Sequence, residues 1–179
     1  MNKHWSDDLP KNACKKAVIW ARTQESTQQA WDACERGDWM LWLLARWNAD
    51  RKKLVLAACE CARLALKYVP KGEKRPLRAI ETTERWAKGQ ATLKEVKSAA
   101  AAAYAAYAAY LVTPAYIAYA AYAAYAAAIA YAAGAANAVA DAAAAATTIS
   151  STACDSLLLE EAKIVRKYFP KYPKSRKAR

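Results

Sequence analysis

The feature that most constrains the fold is a long uncharged stretch, residues 98–140, which consists mostly of alanine and tyrosine. Alanine is the strongest helix former, so this stretch predicts helix. Pro114 interrupts it, lacks a backbone donor and disfavours helix at Thr113, which makes Thr113 a natural N-cap with Pro114 at the first helical position. The prediction is either a hairpin of two helices, at about 93–112 and 114–147, or one long helix kinked at Pro114.

The tyrosines of this stretch recur every three residues, at Tyr104, Tyr107 and Tyr110 and again at Tyr116, Tyr119, Tyr122 and Tyr125. A helix turns by about 100° per residue, so each tyrosine lies about 60° from the last. The second run therefore sweeps too far around the helix to form one core stripe. The rings can pack at the rim of a helical layer, bind a protein or stack on bases. A membrane span is disfavoured because the hydrocarbon of a bilayer prefers leucine-rich helices. Tyrosine rings exposed on the surface would favour self-association of the protein.

The rest of the chain also favours helix, since it has few glycines and lacks the clusters of β-branched residues that mark strands. We predict an all-α fold, a compact multi-helix bundle formed by one domain over residues 1–170. Its parts are Trp-rich helices in 1–50, basic amphipathic helices in 51–90, the Ala/Tyr-rich helices in 92–147, a last helix at 154–168, and a basic flexible tail at 171–179, with mobility expected from Phe169 onward.

Capping residues give the boundaries of the individual helices. Ser26 with Gln29 caps a helix that ends before Gly37, which is predicted to adopt a left-handed conformation. Asp38 caps a deeply packed helix at about 39–48 that carries three tryptophans. Further boundaries are Asp50 before a helix at 51–68, Gly89 after one at 77–88, and a capping box formed by Thr92 and Glu95.

The net charge of +12 is unevenly distributed. Residues 51–100 carry thirteen basic and five acidic side chains, a net charge of +8, and residues 151–179 carry eight and three, a net charge of +5. These basic blocks favour an acidic protein or nucleic acid as partner. They also serve solubility, because the middle stretch is almost uncharged.

No catalytic or metal-binding constellation is recognisable. The five cysteines are scattered and odd in number, which favours reduced thiols in a cytoplasm, and His4 is the only histidine. No glycine-rich phosphate loop or catalytic triad can be assembled, so we predict neither a metal nor a cofactor, and no enzymatic activity. The carboxylate pairs Glu81 with Glu84 and Glu160 with Glu161 are interpreted as solvated ion-pair partners.

A family resemblance begins in the helix that starts near Leu54, with LVLAACECARLALKYVP followed by KGEKRPLRAIETTERWAKGQATLKEV. These segments, with GDWMLWLLARW upstream, resemble an alanine-rich family of phage and bacterial proteins, part of which comprises immunity proteins of polymorphic toxin systems. The resemblance covers about residues 36–170. It implies an all-helical fold and, for the immunity branch, neutralisation of a toxin by binding. A basic chain suits an acidic partner better than a toxin with a basic cleft.

Together these features predict a non-enzymatic helical interaction protein of phage or prophage type that blocks or assembles with a protein partner. The candidate binding residues are the seven tyrosines above with Arg75, Arg78 and Arg85. Two alternatives stay open. One is a nucleic-acid or nucleotide-binding protein that uses basic blocks and stacked tyrosines, and the other is a structural protein that self-assembles.

Overall fold

A computed structural model of the chain describes residues 3–47, 49–109 and 154–174. Within these ranges the chain forms α-helices and two short 3-10 helices, and no strand, so the predicted all-α class is confirmed. The 3-10 helices are Trp5–Asp8 and Leu66–Tyr68, and the α-helices are α1 (Lys15–Arg22), α2 (Thr27–Ala33), α3 (Gly37–Arg46), α4 (Arg51–Ala65), α5 (Arg75–Ala87), α6 (Leu93–Ala109) and α7 (Cys154–Tyr168).

Helix α4 occupies the middle of the described structure. It packs against α5 on one side and against α3 and α7 on the other, and α6 packs on α5. One buried cluster joins α2, α3, α4 and α7, and a second joins α5 to α6 mainly through alanines. Burial of these apolar faces is the main stabilising contribution to the fold.

Most of the predicted helix boundaries are confirmed by cap geometry. The side chains of Ser26 and Asp50 accept hydrogen bonds from the backbone N–H three residues later, at 3.2 and 2.9 Å. Thr92 and Glu95 form a reciprocal capping box, with N···O distances of 2.7 and 3.2 Å. Gly89 adopts the left-handed conformation expected after a helix, with φ of 78°.

Two predictions at the start of α3 are wrong. Gly37 is the first residue of α3 rather than a left-handed residue after α2, and Asp38 does not cap α3. Instead the Asp38 carboxylate accepts hydrogen bonds at 2.9 and 2.7 Å from the guanidinium of Arg36. Gly37 is needed for a different reason: a Cβ at this position would lie 2.3 Å from the Cβ of Glu161. Glycine therefore permits α3 and α7 to approach each other.

The expectation that the chain is mobile from Phe169 onward does not hold for the residues that follow α7. The indole of Trp31 donates a hydrogen bond to the carbonyl of Phe169 at 2.8 Å, and the backbone N–H of Tyr172 donates one to Gln28 at 3.0 Å. The Tyr172 ring makes edge contacts with three indoles, those of Trp5, Trp31 and Trp47. The last part of the predicted flexible tail, residues 175–179, lies outside the described residues, as do Pro114 and the helix predicted at 114–147.

Candidate functional site

The three predicted arginines line one groove between α5 and α6, which we call the basic groove. Arg75, Arg78 and Arg85 lie on one stripe of α5 with Thr82, because their spacing brings every third or fourth residue to the same side. The facing wall, from α6, consists of Glu95, Ser98, Ala99 and Ala102. The groove has a volume of about 330 Å³. The structure therefore places the three predicted arginines along one wall of the same groove.

Small buried side chains position the two walls. Ala79 of α5 and Val96, Ala100 and Ala103 of α6 form the buried contact beneath the groove. Alanine at these positions lets the two helix backbones approach closely. The arginine stripe borders this buried stripe, so the stems of the arginines start at the helix contact and their charged ends reach solvent.

The arginines of the groove differ in how they are engaged. The guanidinium of Arg75 is held by the carboxylate of Glu73, with Nε to oxygen distances of 2.9 and 3.0 Å. Arg78 and Arg85 are exposed, and their guanidinium groups donate no hydrogen bond to any residue that the structure describes. Hydrogen bonds from the backbone and hydroxyl of Thr92, aided by the charge of Arg85, lower the pKa of the Glu95 carboxyl. The groove thus presents two guanidinium groups with open donors.

The nearby carboxylate of Glu84 does not neutralise the groove, because Arg63 of α4 engages it. The Arg63 guanidinium forms a two-pronged pair with Glu84, with N···O distances of 2.9 and 2.8 Å. This pair joins α4 to α5 and confirms that Glu84 is an ion-pair partner. Arg78 and Arg85 lie about 120° and 100° around the helix axis from Glu84, on an exposed flank of α5.

The two predicted tyrosines that the structure describes lie elsewhere on α6. Tyr104 is 46% exposed, and its ring centroid is 5.7 Å from that of Tyr107. Helix geometry places Tyr104 about 160° and Tyr107 about 140° around the axis from Ala102 of the groove. The described tyrosines and arginines therefore do not share one surface. Tyr110, Tyr116, Tyr119, Tyr122 and Tyr125 lie outside the described residues.

A titratable group that the sequence analysis misjudged lies at the other end of the molecule. Glu160 is exposed and pairs with Lys163 at 2.7 Å, but Glu161 is fully buried, so its interpretation as a solvated ion-pair partner is wrong. Neither carboxyl oxygen of Glu161 has a hydrogen-bond partner among the described residues. Burial and the charge of Asp38, opposed by Arg36, raise its pKa to about 9. The acid is therefore protonated at neutral pH.

The periodicity of α7 contains the signal for this burial. Leu157, Leu158, Glu161, Ala162 and Val165 follow the spacing of one apolar face, and all five are buried. Glu161 occupies a position of that face which a leucine or alanine would normally fill. The charge of the two neighbouring acids does not by itself distinguish the exposed Glu160 from the buried Glu161.

The part of the chain that forms the basic groove matches a known protein family. Residues 45–169 match the family model described as Imm-5 like putative immunity protein. The chain belongs to this immunity-protein family. The matched segment covers well over half of the chain and confirms the resemblance found in the sequence. No curated protein and no solved structure matches the chain.

The immunity-family segment contains the whole of the basic groove. Helices α4, α5, α6 and α7 lie within residues 45–169, and so does every residue of the basic groove. Helices α1 and α2 and nearly all of α3 precede it. The family name therefore concerns the part of the molecule that carries the basic groove and the described tyrosines.

Two further findings concern the described residues alone. They contain no group of three histidine, cysteine or acidic side chains that could hold a metal ion. None of their helices combines the length and the apolar character needed to cross a bilayer.

Proposed function

We propose that this immunity-family protein acts by binding a protein partner, without catalysis, and that the basic groove receives carboxylates of that partner. The observation that carries the proposal is the pair of exposed guanidinium groups, Arg78 and Arg85, which have no hydrogen-bond acceptor among the described residues. They lie within the family segment, where membership supports a binding role.

The chemistry of the groove favours an acidic segment as ligand. A guanidinium donates two parallel hydrogen bonds to a carboxylate, a geometry that lysine cannot reproduce. Arg78 and Arg85 are seven residues apart on α5, which corresponds to about 10 Å along the helix. Two carboxylates separated by a similar distance, for example on one face of a partner helix, would match them.

The tyrosine surface is a second proposed contact. Tyr104 and Tyr107 present adjacent rings on another side of α6, and tyrosine offers large contact area at low entropic cost. Because this side faces away from the groove, a partner that used both surfaces would have to wrap around α6. Tyr110, Tyr116, Tyr119, Tyr122 and Tyr125 are proposed members of the same surface, and self-association through it is the structural alternative.

Nucleic-acid or nucleotide binding is the other candidate, and the basic groove favours it. Its weakness is geometric, since stacked bases and bound phosphates would need the tyrosines and arginines on one surface. The described arginines line the groove from α5, whereas the described tyrosines lie on the side of α6 that faces away from the groove. We therefore rank protein binding first.

We also propose that the protein is of phage or prophage origin and acts in the host cytoplasm. The cysteines Cys34, Cys59 and Cys61 are free and buried, as expected for a reducing compartment. Burial raises the pKa of the Cys34 thiol to about 11, which makes it a poor nucleophile.

The experiment that tests the binding proposal is affinity capture from host lysate after nuclease treatment, with a charge-reversed groove. Arg78→Glu combined with Arg85→Glu should abolish capture of the partner. The matched control, Lys11→Glu with Lys52→Glu, changes the net charge equally at two exposed positions outside the groove and should retain capture.

Salt and nuclease distinguish the candidates. A partner protein that survives nuclease and is lost only in the groove variant supports the proposal. Material that disappears with nuclease, and whose binding weakens steeply between about 50 and 200 mM salt, would establish the nucleic-acid alternative instead. Equal loss of capture in both charge variants would contradict a specific role for the groove.

A further inference from the structure

A second concave site lies in the N-terminal part of the molecule, which we call the tryptophan cavity. It has a volume of about 410 Å³ and is enclosed by the first 3-10 helix, α1, α2, α3 and the segment after α7. Its aromatic walls are Trp5, Trp20, Trp31, Trp39, Trp42 and Tyr172. Every lining residue lies outside residues 45–169, so the family match says nothing about this site.

The walls that face the buried core are held in place before any ligand binds. The Arg166 guanidinium of α7 donates hydrogen bonds to the carbonyls of Trp31 and Cys34, at 3.3 and 2.8 Å, and so fixes the end of α2. Met40 and Trp31 are buried in the main cluster and also line the cavity. A cavity with a fixed wall keeps its shape, which lowers the cost of binding.

The indole groups leave hydrogen-bond donors at the cavity. Trp5 and Trp31 donate to backbone carbonyls at 2.9 and 2.8 Å. The indole N–H groups of Trp20, Trp39 and Trp42 donate to no residue that the structure describes, and all three side chains are only partly buried. An indole N–H is a donor only. A ligand that carries an acceptor atom would satisfy one of these groups.

The charges at the cavity cancel each other. Arg36 and Asp38 both line it, and their side chains are joined by hydrogen bonds of 2.9 and 2.7 Å. The Arg36 guanidinium also lies 4.5 Å from the ring centroid of Trp39, in a cation–π contact. The cavity therefore offers no unbalanced charge to attract an ionic ligand.

We propose that the tryptophan cavity binds a neutral, flat aromatic small molecule that carries a hydrogen-bond acceptor. Its volume falls within the range of about 300 to 1,000 Å³ that is typical of small-molecule sites, and its walls are mainly apolar with a few polar groups. Indole faces stack on flat aromatic rings, and an indole N–H at the cavity can donate a hydrogen bond to the acceptor of the ligand. This site is separate from the basic groove and does not depend on the function proposed for it.

The test is a fluorescence titration of the full chain with 6-propionyl-2-(dimethylamino)naphthalene, a neutral and flat aromatic probe whose carbonyl oxygen accepts hydrogen bonds. The wild type should show saturable binding of one probe per chain, with enhanced probe emission and quenched tryptophan emission. Linear, unsaturated enhancement, or several equivalent probes per chain, would overturn the proposal.

A cavity-filling variant identifies the site. Ala17 of α1 lines the cavity, so Ala17→Phe places a ring inside it and should weaken probe binding at least tenfold. The matched control is Ala33→Phe, which places the same ring at an exposed position of α2 and should leave affinity within twofold.

A second variant keeps the test decisive if Ala17→Phe fails to fold, as judged by circular dichroism. Trp39→Leu removes one stacking face of the cavity without filling it and should weaken binding at least threefold. If a folded Ala17→Phe protein, or Trp39→Leu in its place, binds the probe with wild-type affinity, the probe lies elsewhere and the proposal is wrong.

Discussion

Two regions of the molecule are packed with side chains of opposite size. One is the contact between α5 and α6, and the other is the N-terminal layer of α1, α2 and α3. In the first, alanines fill the contact and the helices close tightly, so the larger side chains remain at the rim as the basic groove. In the second, indoles are too large to close the contact around them, and the tryptophan cavity remains between the helices. Small residues thus produce a charged surface, whereas large residues produce an apolar cavity.

Helix α7 connects the N-terminal layer to α4, and α4 in turn packs on α5. Helix α7 itself packs on α4 of the family segment and on α3 of the N-terminal layer. On the α4 side, Glu60 accepts hydrogen bonds from Lys167 and Tyr168, both at 2.8 Å. Burial acts to raise the pKa of the Glu60 carboxyl, but these hydrogen bonds outweigh it, and the pKa is lowered. On the α3 side, α7 presents the unpartnered acid Glu161 against Gly37. A single substitution should therefore disturb the packing most at the contact between α3 and α7.

The largest expected effect comes from Gly37→Ala. The added Cβ would lie 2.3 Å from the Cβ and 2.7 Å from the backbone carbonyl carbon of Glu161, so α3 and α7 would have to separate. We expect a loss of about 3 kcal/mol in the free energy of unfolding, measured by urea denaturation.

The control for this variant is Gly89→Ala, where an added Cβ meets nothing within 4 Å and only the left-handed φ of 78° is unfavourable. That variant should lose about 1 kcal/mol. Equal losses in the two variants would show that Gly37 acts through backbone conformation and not through the close approach of the helices.

The next effect concerns the pH dependence that Glu161 introduces. Its folded pKa of about 9 lies above the ordinary value of 4.5 for a glutamate carboxyl, so between these values the folded chain holds a proton that the unfolded chain releases. Stability should therefore fall as pH rises through this range. Glu161→Gln is neutral in both states and should be more stable than wild type by about 2 kcal/mol at pH 6, with little difference near pH 4 and a larger one as the pH rises further.

The matched control is Glu160→Gln, which alters the exposed neighbour in the same helix. Its unfolding free energy should follow that of the wild type at every pH. Parallel curves for Glu161→Gln and wild type from pH 5 to pH 8 would contradict a buried, protonated Glu161.

A smaller effect is expected where the chain after α7 closes the tryptophan cavity. Tyr172 contacts three indoles edge to face, and burial raises the pKa of its hydroxyl above the usual range. Tyr172→Ala should cost about 1.5 kcal/mol and shift tryptophan emission to longer wavelength, because the indoles become wetter. Lys171→Ala, at an exposed neighbour, should change neither quantity. An unchanged emission spectrum in Tyr172→Ala would mean that the segment does not dock.

The sequence predicted the helices and most of their ends, because caps such as Asp50 and Thr92 are local signals. It failed where a residue acts through a distant neighbour. Gly37 was interpreted by the usual preference of glycine, whereas its role depends on α7, more than one hundred residues later. The tryptophans of α3 were expected to be deeply packed, yet Trp39 and Trp42 are partly exposed at a cavity whose closing residue, Tyr172, was assigned to a mobile tail.

The candidate site was predictable in its chemistry but not in its arrangement. The spacing of Arg78 and Arg85 places them on one side of α5, which the sequence alone indicates. The facing wall from α6, and the capture of Glu84 by Arg63, depend on how three helices pack. The three-residue spacing of the tyrosines does not indicate how they lie relative to the arginines, because that depends on the register of α6 against α5, which turns Tyr104 away from the groove.

The smallest expected effect on stability is that of substitutions in the basic groove, which are compared with a substitution that breaks a contact between helices of the family segment. Arg78→Glu with Arg85→Glu should change the free energy of unfolding by no more than about 0.5 kcal/mol, because neither side chain has a hydrogen-bond partner among the described residues. Arg63→Gln should cost about 1 kcal/mol after allowance for solvent screening, because it breaks the pair with Glu84 that joins α4 to α5. Urea denaturation at 50 and 200 mM salt compares the two. If the groove variant proves the less stable of the two, Arg78 and Arg85 hold α5 to α6 and are not available to a partner.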